Sequence, residues 1–71
     1  MAFEYEIVKT LGVITERNDR VLEANIVSWN RNTPKIDIRW WENDHEKMYK
    51  GVAMTDEEAE TLYKILKARY E

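Results

Sequence analysis

The chain shows two kinds of hydrophobic pattern, one with a period of two residues and one with a helical period. Residues 3–14 begin by alternating apolar Phe3, Tyr5 and Ile7 with acidic side chains, a pattern typical of a β-strand. Gly12 predicts a bend or bulge within this strand. Three more strands are predicted over residues 21–29, 35–42 and 47–54, and polar connections are predicted over residues 15–20, 30–34 and 43–46.

After residue 54 the period becomes helical. Thr55 is followed three residues later by Glu58, the spacing of a capping box. Acidic side chains fill the first turn and basic ones the last, as the helix dipole favours. The sequence therefore predicts a helix of roughly 15 residues from Thr55. The whole chain, residues 1–71, is expected to be one α+β domain, a curved four-stranded antiparallel sheet followed by a C-terminal helix (β-β-β-β-α).

The predicted helix is apolar over more than one stripe. A helix lying on a single sheet needs only one such stripe. We expect the surplus to pair with the same helix in a second copy, giving a homodimer through Leu62, Ile65, Leu66 and Tyr70. The alternative is that the helix lies deep across a curved sheet.

Alternation assigns the side chains of the two central strands to two faces. We expect Trp29 opposite Lys35 and Val27 opposite Asp37. The even-numbered residues then share an apolar face that should meet the helix, with Trp40 as the core tryptophan. The other face should be open and carries Asn25, Val27, Trp29, Lys35, Arg39 and Trp41.

The fourth strand adds one more ring to the open face. If Trp41 pairs with Lys47, Tyr49 joins this face, while Met48, Val52 and Met54 point to the core. The same register puts Lys50 on the core side, which does not suit a lysine. A bulge near Gly51 would resolve this conflict, as would a sheet end where Lys50 reaches solvent.

Composition narrows the possible functions. The chain has 71 residues, no cysteine and a net charge of −3, so it has no disulfide and is no generic nucleic-acid binder. The centre is nevertheless mildly basic, because residues 17–41 carry five basic and three acidic side chains. No stretch approaches a membrane span and the N-terminus does not resemble a signal peptide, so a cytoplasmic location is expected.

Nothing in the sequence indicates an enzyme or a cofactor. His45 is the single histidine, and its acidic neighbours cannot easily aim at one metal ion. The acids of residues 56–60 are read as a solvated helix start. Ser28 has no histidine placed to activate it, and no glycine-rich phosphate loop is present. We therefore expect a protein without enzymatic activity, metal, cofactor or small-molecule substrate.

Rings and cations on one open sheet face are what single-stranded nucleic acid requires, because unpaired bases stack on rings and phosphates attract Lys and Arg. A protein interface uses the same residue types. The pattern alone leaves both functions open, together with a purely structural role. In the nucleic-acid case, Arg39→Ala and Trp41→Ala should weaken binding and leave the fold intact.

The segments VSWN (27–30), PKIDIRWW (34–41) and DHEKMYKG (44–51), with the helix from Thr55, resemble the single-stranded-DNA-binding domain of the positive-cofactor-four (p15) family of transcriptional coactivators. The resemblance covers most of residues 20–71 and is strongest to the small bacterial and phage YdbC-like members. It implies a homodimer paired through its helices. Grooves on the two sheets would hold single-stranded DNA largely without sequence preference, in transcription, replication or repair.

The resemblance also implies site residues. Arg39 matches the DNA-contacting arginine of the family's D-I-R segment, and Lys50 matches the lysine before the glycine that leads into the last strand. The predicted nucleic-acid contacts are Trp29, Arg31, Lys35, Arg39, Trp41, Tyr49 and Lys50. The expected partners are single-stranded DNA or RNA and a second copy, in the cytoplasm at the nucleoid. The alternative is a protein-interaction module using the same aromatic face.

Overall fold

A computed structural model describes residues 4–42 and 44–71. The elements are β1 (Tyr5–Arg17), β2 (Arg20–Trp29), β3 (Lys35–Glu42), β4 (Met48–Met54) and α1 (Asp56–Tyr70). The strands form one antiparallel sheet in the order β1-β2-β3-β4. The predicted α+β class and element order are confirmed. Phe3 in the first predicted strand and Asn43 in the last predicted turn lie outside the described residues.

β1 is longer than predicted. It continues through Arg17, so the polar connection expected over residues 15–20 shrinks to a turn at Asn18 and Asp19. Asn18 has a φ of 56°, in the left-handed region that Asn tolerates, and this allows the sharp reversal. Polar residues can extend a strand here because β1 is an edge strand with solvent around most of its side chains.

The pairing of β1 with β2 is irregular. The register shifts between Ile7 and Lys9, between Thr10 and Gly12, and between Val13 and Thr15. The irregularity predicted at Gly12 is therefore confirmed. Apolar side chains remain exposed along this edge at Val8, Leu11, Val13 and Ile14.

The predicted register of β2 and β3 is wrong by two residues. Val27, not Trp29, lies opposite Lys35, and Asn25 lies opposite Asp37. The shift leaves residues 28–34 between the last paired positions, and the β2–β3 loop uses this length to turn. Its Asn30 and Arg31 have φ of 51° and 64°, and the Ser28 hydroxyl donates to the Asn32 carbonyl at 2.8 Å. A two-residue shift keeps every side chain on its face, so the predicted sharing of faces holds.

The prediction of which face is buried is wrong. The inner face, as we call the odd-numbered residues 21–29 of β2 and 35–41 of β3, contains the buried positions Val21, Glu23, Asn25, Val27, Asp37 and Trp41. The outer face, the even-numbered residues 22–28 and 36–40, is only half-buried. α1 has no buried residue and touches only β3 and β4. The burial therefore arises from a sheet curled around its inner face.

β4 carries the bulge that one of the two sequence interpretations required. Arg39 pairs with Gly51 but Trp41 pairs with Met48, so an extra residue sits in β4 between these positions. Met48 consequently faces inward with Trp41, contrary to the prediction. Val52 and Met54 share the outer face with Ile38 and Ile36, as the pattern predicted, but Val52 is 51% exposed and not in a core. A Cβ at Gly51 would lie 2.5 Å from the Cβ of Arg39, so the pairing requires glycine.

The helix begins as predicted. The Glu58 backbone N–H donates to Thr55 Oγ1 at 3.1 Å, and the Thr55 N–H donates to Glu58 Oε1 at 2.8 Å, completing the capping box. Of the predicted dimer residues, Leu62 is half-buried, while Ile65, Leu66 and Tyr70 are 60%, 46% and 76% exposed. In the described part of the chain no helix is long and apolar enough to cross a membrane.

The chain is open for its size. Its radius of gyration is 12.9 Å, whereas a compact domain of this length has about 11 Å. Together with the half-buried outer face and the exposed helix, this describes a chain with much apolar surface left uncovered.

Candidate nucleic-acid interface

Arg39 is the best-fixed cation on the inner face. Its Nε donates to Asp37 Oδ1 at 3.1 Å and its Nη2 to Asp37 Oδ2 at 3.0 Å. Its Nη1 donates to the Tyr49 carbonyl at 3.0 Å. The Asp37 side chain is fully buried and that of Arg39 is 17% exposed. Such a two-point pair holds the guanidinium in one orientation.

Trp29 provides the ring next to this cation. The Arg39 Cζ lies 4.8 Å from the Trp29 ring centroid, within cation–π distance. Both residues line a groove of about 400 Å³ with Asn30, Met48, Tyr49 and Ala53. Lys35 is exposed on the same inner face, directly opposite Val27. The structure thus brings a ring and two cations together on one face.

Trp41 is not the exposed tryptophan that the sequence predicted. It is 0% exposed, with the Tyr5 ring centroid 5.3 Å away and that of His45 5.5 Å away. Tyr5 also lies 5.7 Å from Trp29, so Tyr5 links Trp29 and Trp41 in one cluster of tilted rings. Of these two neighbouring tryptophans, Trp40 on the outer face is the half-buried one. The curl of the sheet inverts the expected roles of the two neighbours.

A polar cluster closes one end of the inner face. His45 Nε2 lies 2.9 Å from both carboxylate oxygens of Glu23, and Asn25 Nδ2 donates to Glu23 Oε1 at 3.0 Å. The Tyr5 hydroxyl donates to the His45 carbonyl at 2.5 Å. His45 reaches these partners because its φ of 62° turns the chain sharply. This cluster fastens the start of β1 and the β3–β4 turn over Trp41.

Arg31 lies away from the groove. It sits in the β2–β3 loop, and its Nε is 3.0 Å from Glu4 Oε1, with side chains 86% and 60% exposed. An ion pair this exposed contributes little to stability. The structure therefore does not bring Arg31 together with Trp29 and Arg39.

Tyr49 and Lys50 lie at the β4 bulge. Tyr49 borders the groove, and its ring also lies 3.8 Å from the Cζ of Arg20. Lys50 is exposed and borders a different cleft, on the outer-face side, together with Trp40 and Arg20. The bulge shifts the alternation of β4, and Lys50 is exposed to solvent, so this position accommodates a lysine. Tyr49 joins the two regions, and Lys50 belongs to the second.

Sequence reasoning missed several residues of this site. Asp37 was placed on the correct face but without a role, although a carboxylate two residues before an arginine on one strand face is a recognisable partner. Tyr5 likewise follows from alternation in β1. No local pattern indicates the contact of His45 with Glu23, which is 22 residues away.

Comparison with known proteins adds two findings. The model of the family described as "Transcriptional Coactivator p15 (PC4)" matches residues 17–65, more than half of the chain. A protein of Treponema pallidum (strain Nichols), described as uncharacterized, is 40% identical over 65 residues, covering 90% of this chain and 76% of its own length. The matched region contains β2, β3, β4 and most of α1, including Trp29, Arg39 and the bulge. The resemblance carried by the D-I-R segment is thus confirmed, and the chain belongs to the transcriptional coactivator p15 (PC4) family.

Proposed function

We propose that this protein binds single-stranded DNA as a homodimer, without reading its sequence. The observation that carries the proposal is the pairing of Trp29 with Arg39 in one open groove, with Lys35 exposed on the same inner face. Membership of a nucleic-acid-binding, non-enzymatic coactivator family supports the same reading. A role in transcription, replication or repair follows from this binding activity.

A nucleotide would use the groove in two ways. Its base would stack on Trp29, because every base offers a flat face and such stacking tolerates any sequence. Its phosphate would accept hydrogen bonds from Arg39. A guanidinium has five N–H donors, and three of the Arg39 donors are engaged by Asp37 and Tyr49. Two donors remain for a phosphate, already aimed by the ion pair, and Lys35 supplies a second charge.

The affinity is expected to be modest and sensitive to salt. The inner face carries Glu23 and Asp37 beside its cations, and the net charge of the chain is −3. Binding to a single strand weakens with salt in proportion to the number of phosphates contacted, about 0.7 in the logarithmic slope for each. Trp41 is fully buried, so its predicted direct contact is replaced by a supporting position against Tyr5, whose ring in turn lies near Trp29.

The uncovered apolar surface supports a dimer. Leu62, Ile65, Leu66 and Tyr70 extend along α1 without partners inside the protomer sufficient to bury them. A second copy pairing through α1 would cover these side chains. Ile65→Glu should then shift the protein from dimer to monomer in sedimentation equilibrium, whereas Lys64→Gln on the same helix should not. A wild-type protein that sediments as a monomer at high concentration would refute the dimer.

The binding test is a titration with oligo-dT of about 20 nucleotides, followed by tryptophan fluorescence at two salt concentrations. We expect quenching that weakens as salt rises. Arg39→Gln and Trp29→Leu should each reduce the affinity, while Lys64→Gln, which removes the same charge as Arg39→Gln from an exposed helix position, should not. A parallel oligo-U titration separates RNA from DNA.

Absence of quenching at low salt would overturn the proposal. The Trp29–Arg39 pair would then serve the alternative function, docking of a protein partner, since Trp and Arg dominate such interfaces. An affinity equal in wild type and Arg39→Gln would locate the binding elsewhere on the chain.

A further inference from the structure

A large cleft lies outside the groove, at the tip of the β1–β2 hairpin. It measures about 880 Å³ and is lined by Arg17, Asn18, Asp19, Arg20, Trp40, Glu42, Tyr49 and Lys50. No residue of α1 borders it. Three cations face two carboxylates here, so the cleft is positive in a chain whose net charge is negative.

Two of the three cations in this cleft lie against aromatic rings. The Cζ of Arg20 is 3.8 Å from the Tyr49 ring centroid, and that of Arg17 is 5.8 Å from the Trp40 ring centroid. In residues 4–42 and 44–71, none of the ion pairs involves Arg17, Arg20 or Lys50. Their hydrogen-bonding donors therefore remain available to an anion.

The β1–β2 hairpin places two arginines opposite each other, an arrangement that lowers its stability. Arg17 and Arg20 are direct cross-strand partners at the last position before the turn. Like charges directly opposite each other destabilise an antiparallel pair. Glu42 lies directly opposite Arg20 on β3, but no ion pair joins them among residues 4–42 and 44–71. A like-charge pair kept in this way is characteristic of a functional site.

Tyr49 connects this cleft with the groove described above. It borders both, and it lies in the bulge of β4, which is an edge strand of the sheet. A chain of nucleotides leaving Trp29 and Arg39 can therefore pass over this edge without crossing another strand.

We propose that the cleft is a second nucleotide subsite for the same single strand, stacking a base on Trp40 and holding phosphates on Arg17, Arg20 and Lys50. This rests on the proposed single-strand binding and extends its path from the inner face, over the bulge, to the outer side of the hairpin tip. A ligand that is both planar and anionic matches the rings and cations together.

The test follows the indole N–H signals of Trp29 and Trp40 by NMR during titration with oligo-dT of about 20 nucleotides. The Trp40→Phe variant assigns its signal. We expect both signals to shift. The double variant Arg17→Gln/Arg20→Gln should abolish the Trp40 shift, retain the Trp29 shift, and lower the logarithmic salt slope by roughly 1.4, twice the value for one single-strand phosphate contact.

The matched control is Lys64→Gln/Lys67→Gln on α1. It removes the same charge, and Lys67 also lies over a ring, 5.9 Å from Tyr63. A Trp29 shift without a Trp40 shift would overturn the subsite and leave the proposed function standing. So would a salt slope equal in the double variant and the control. If neither tryptophan shifts, the proposed function fails and the subsite with it.

Discussion

Replacement of Trp41 by alanine should remove a large part of the protein's free energy of unfolding. The sequence pattern alone predicts a surface position where the change leaves the fold intact. The side chain is fully buried against Tyr5 and His45. Trp-to-Ala changes at buried positions cost about 3–5 kcal/mol. A domain of this length has a free energy of unfolding of about 4–11 kcal/mol. The variant should therefore lose a large part of its stability, and its Tm should fall by roughly 12–40 °C.

The Trp41→Phe variant tests the buried indole N–H separately from the loss of the ring. Trp41 Nε1 is buried without a hydrogen-bond partner in the described structure, and such an orphan donor costs about 1–3 kcal/mol. Phenylalanine removes the donor and part of the ring together. The two effects oppose each other, so the free energy of unfolding of Trp41→Phe should lie within about 1 kcal/mol of that of the wild type.

Urea denaturation followed by far-UV circular dichroism measures both variants without relying on tryptophan emission. Extrapolated free energies at one protein concentration allow the comparison even if the protein is a dimer. A Trp41→Ala variant that loses less than about 1 kcal/mol would refute the burial of this ring. It would restore the interpretation in which Trp41 is an open stacking platform.

Three further changes test other parts of the structure. Gly51→Ala should cost about 1–3 kcal/mol by overpacking against Arg39 and should also weaken oligo-dT binding; equal urea midpoints for variant and wild type would contradict the close approach. Thr55→Ala should cost about 1 kcal/mol by removing the helix cap, seen as a lower thermal midpoint, and an unchanged midpoint would mean that the cap contributes nothing. Arg31→Ala should change stability by less than about 1 kcal/mol, since its pair with Glu4 is exposed; a larger loss in urea would show that the loop depends on this pair.

The element types and the sharing of faces could be predicted because both depend on local periodicity. Alternation in β2 and β3 decides which side chains lie together, and a register error of two residues leaves this unchanged. Thr55 and Glu58 identify the start of α1 for a similarly local reason. Arg39 and Trp29 were therefore correctly placed on one face from sequence alone.

The buried face could not be predicted because it depends on the curvature of the whole sheet. Trp40 and Trp41 are identical side chains on opposite faces of β3. Which of them is buried depends on the side toward which the sheet curls. The contact of His45 with Glu23 depends on a left-handed backbone conformation at one turn residue. Neither property leaves a periodic trace in the chain.

The irregular pairing of β1 has a consequence for the behaviour of concentrated solutions. A long edge strand with exposed Val8, Leu11, Val13 and Ile14 would otherwise be a template for uncontrolled strand addition and aggregation. The three register shifts divide its pairing into runs no longer than three consecutive residues. A bulged edge twists away from a flat incoming strand, which therefore finds no long continuous ladder to extend. Straightening this edge by removing one of the extra residues would convert a tolerated apolar strand into the site where fibrils begin.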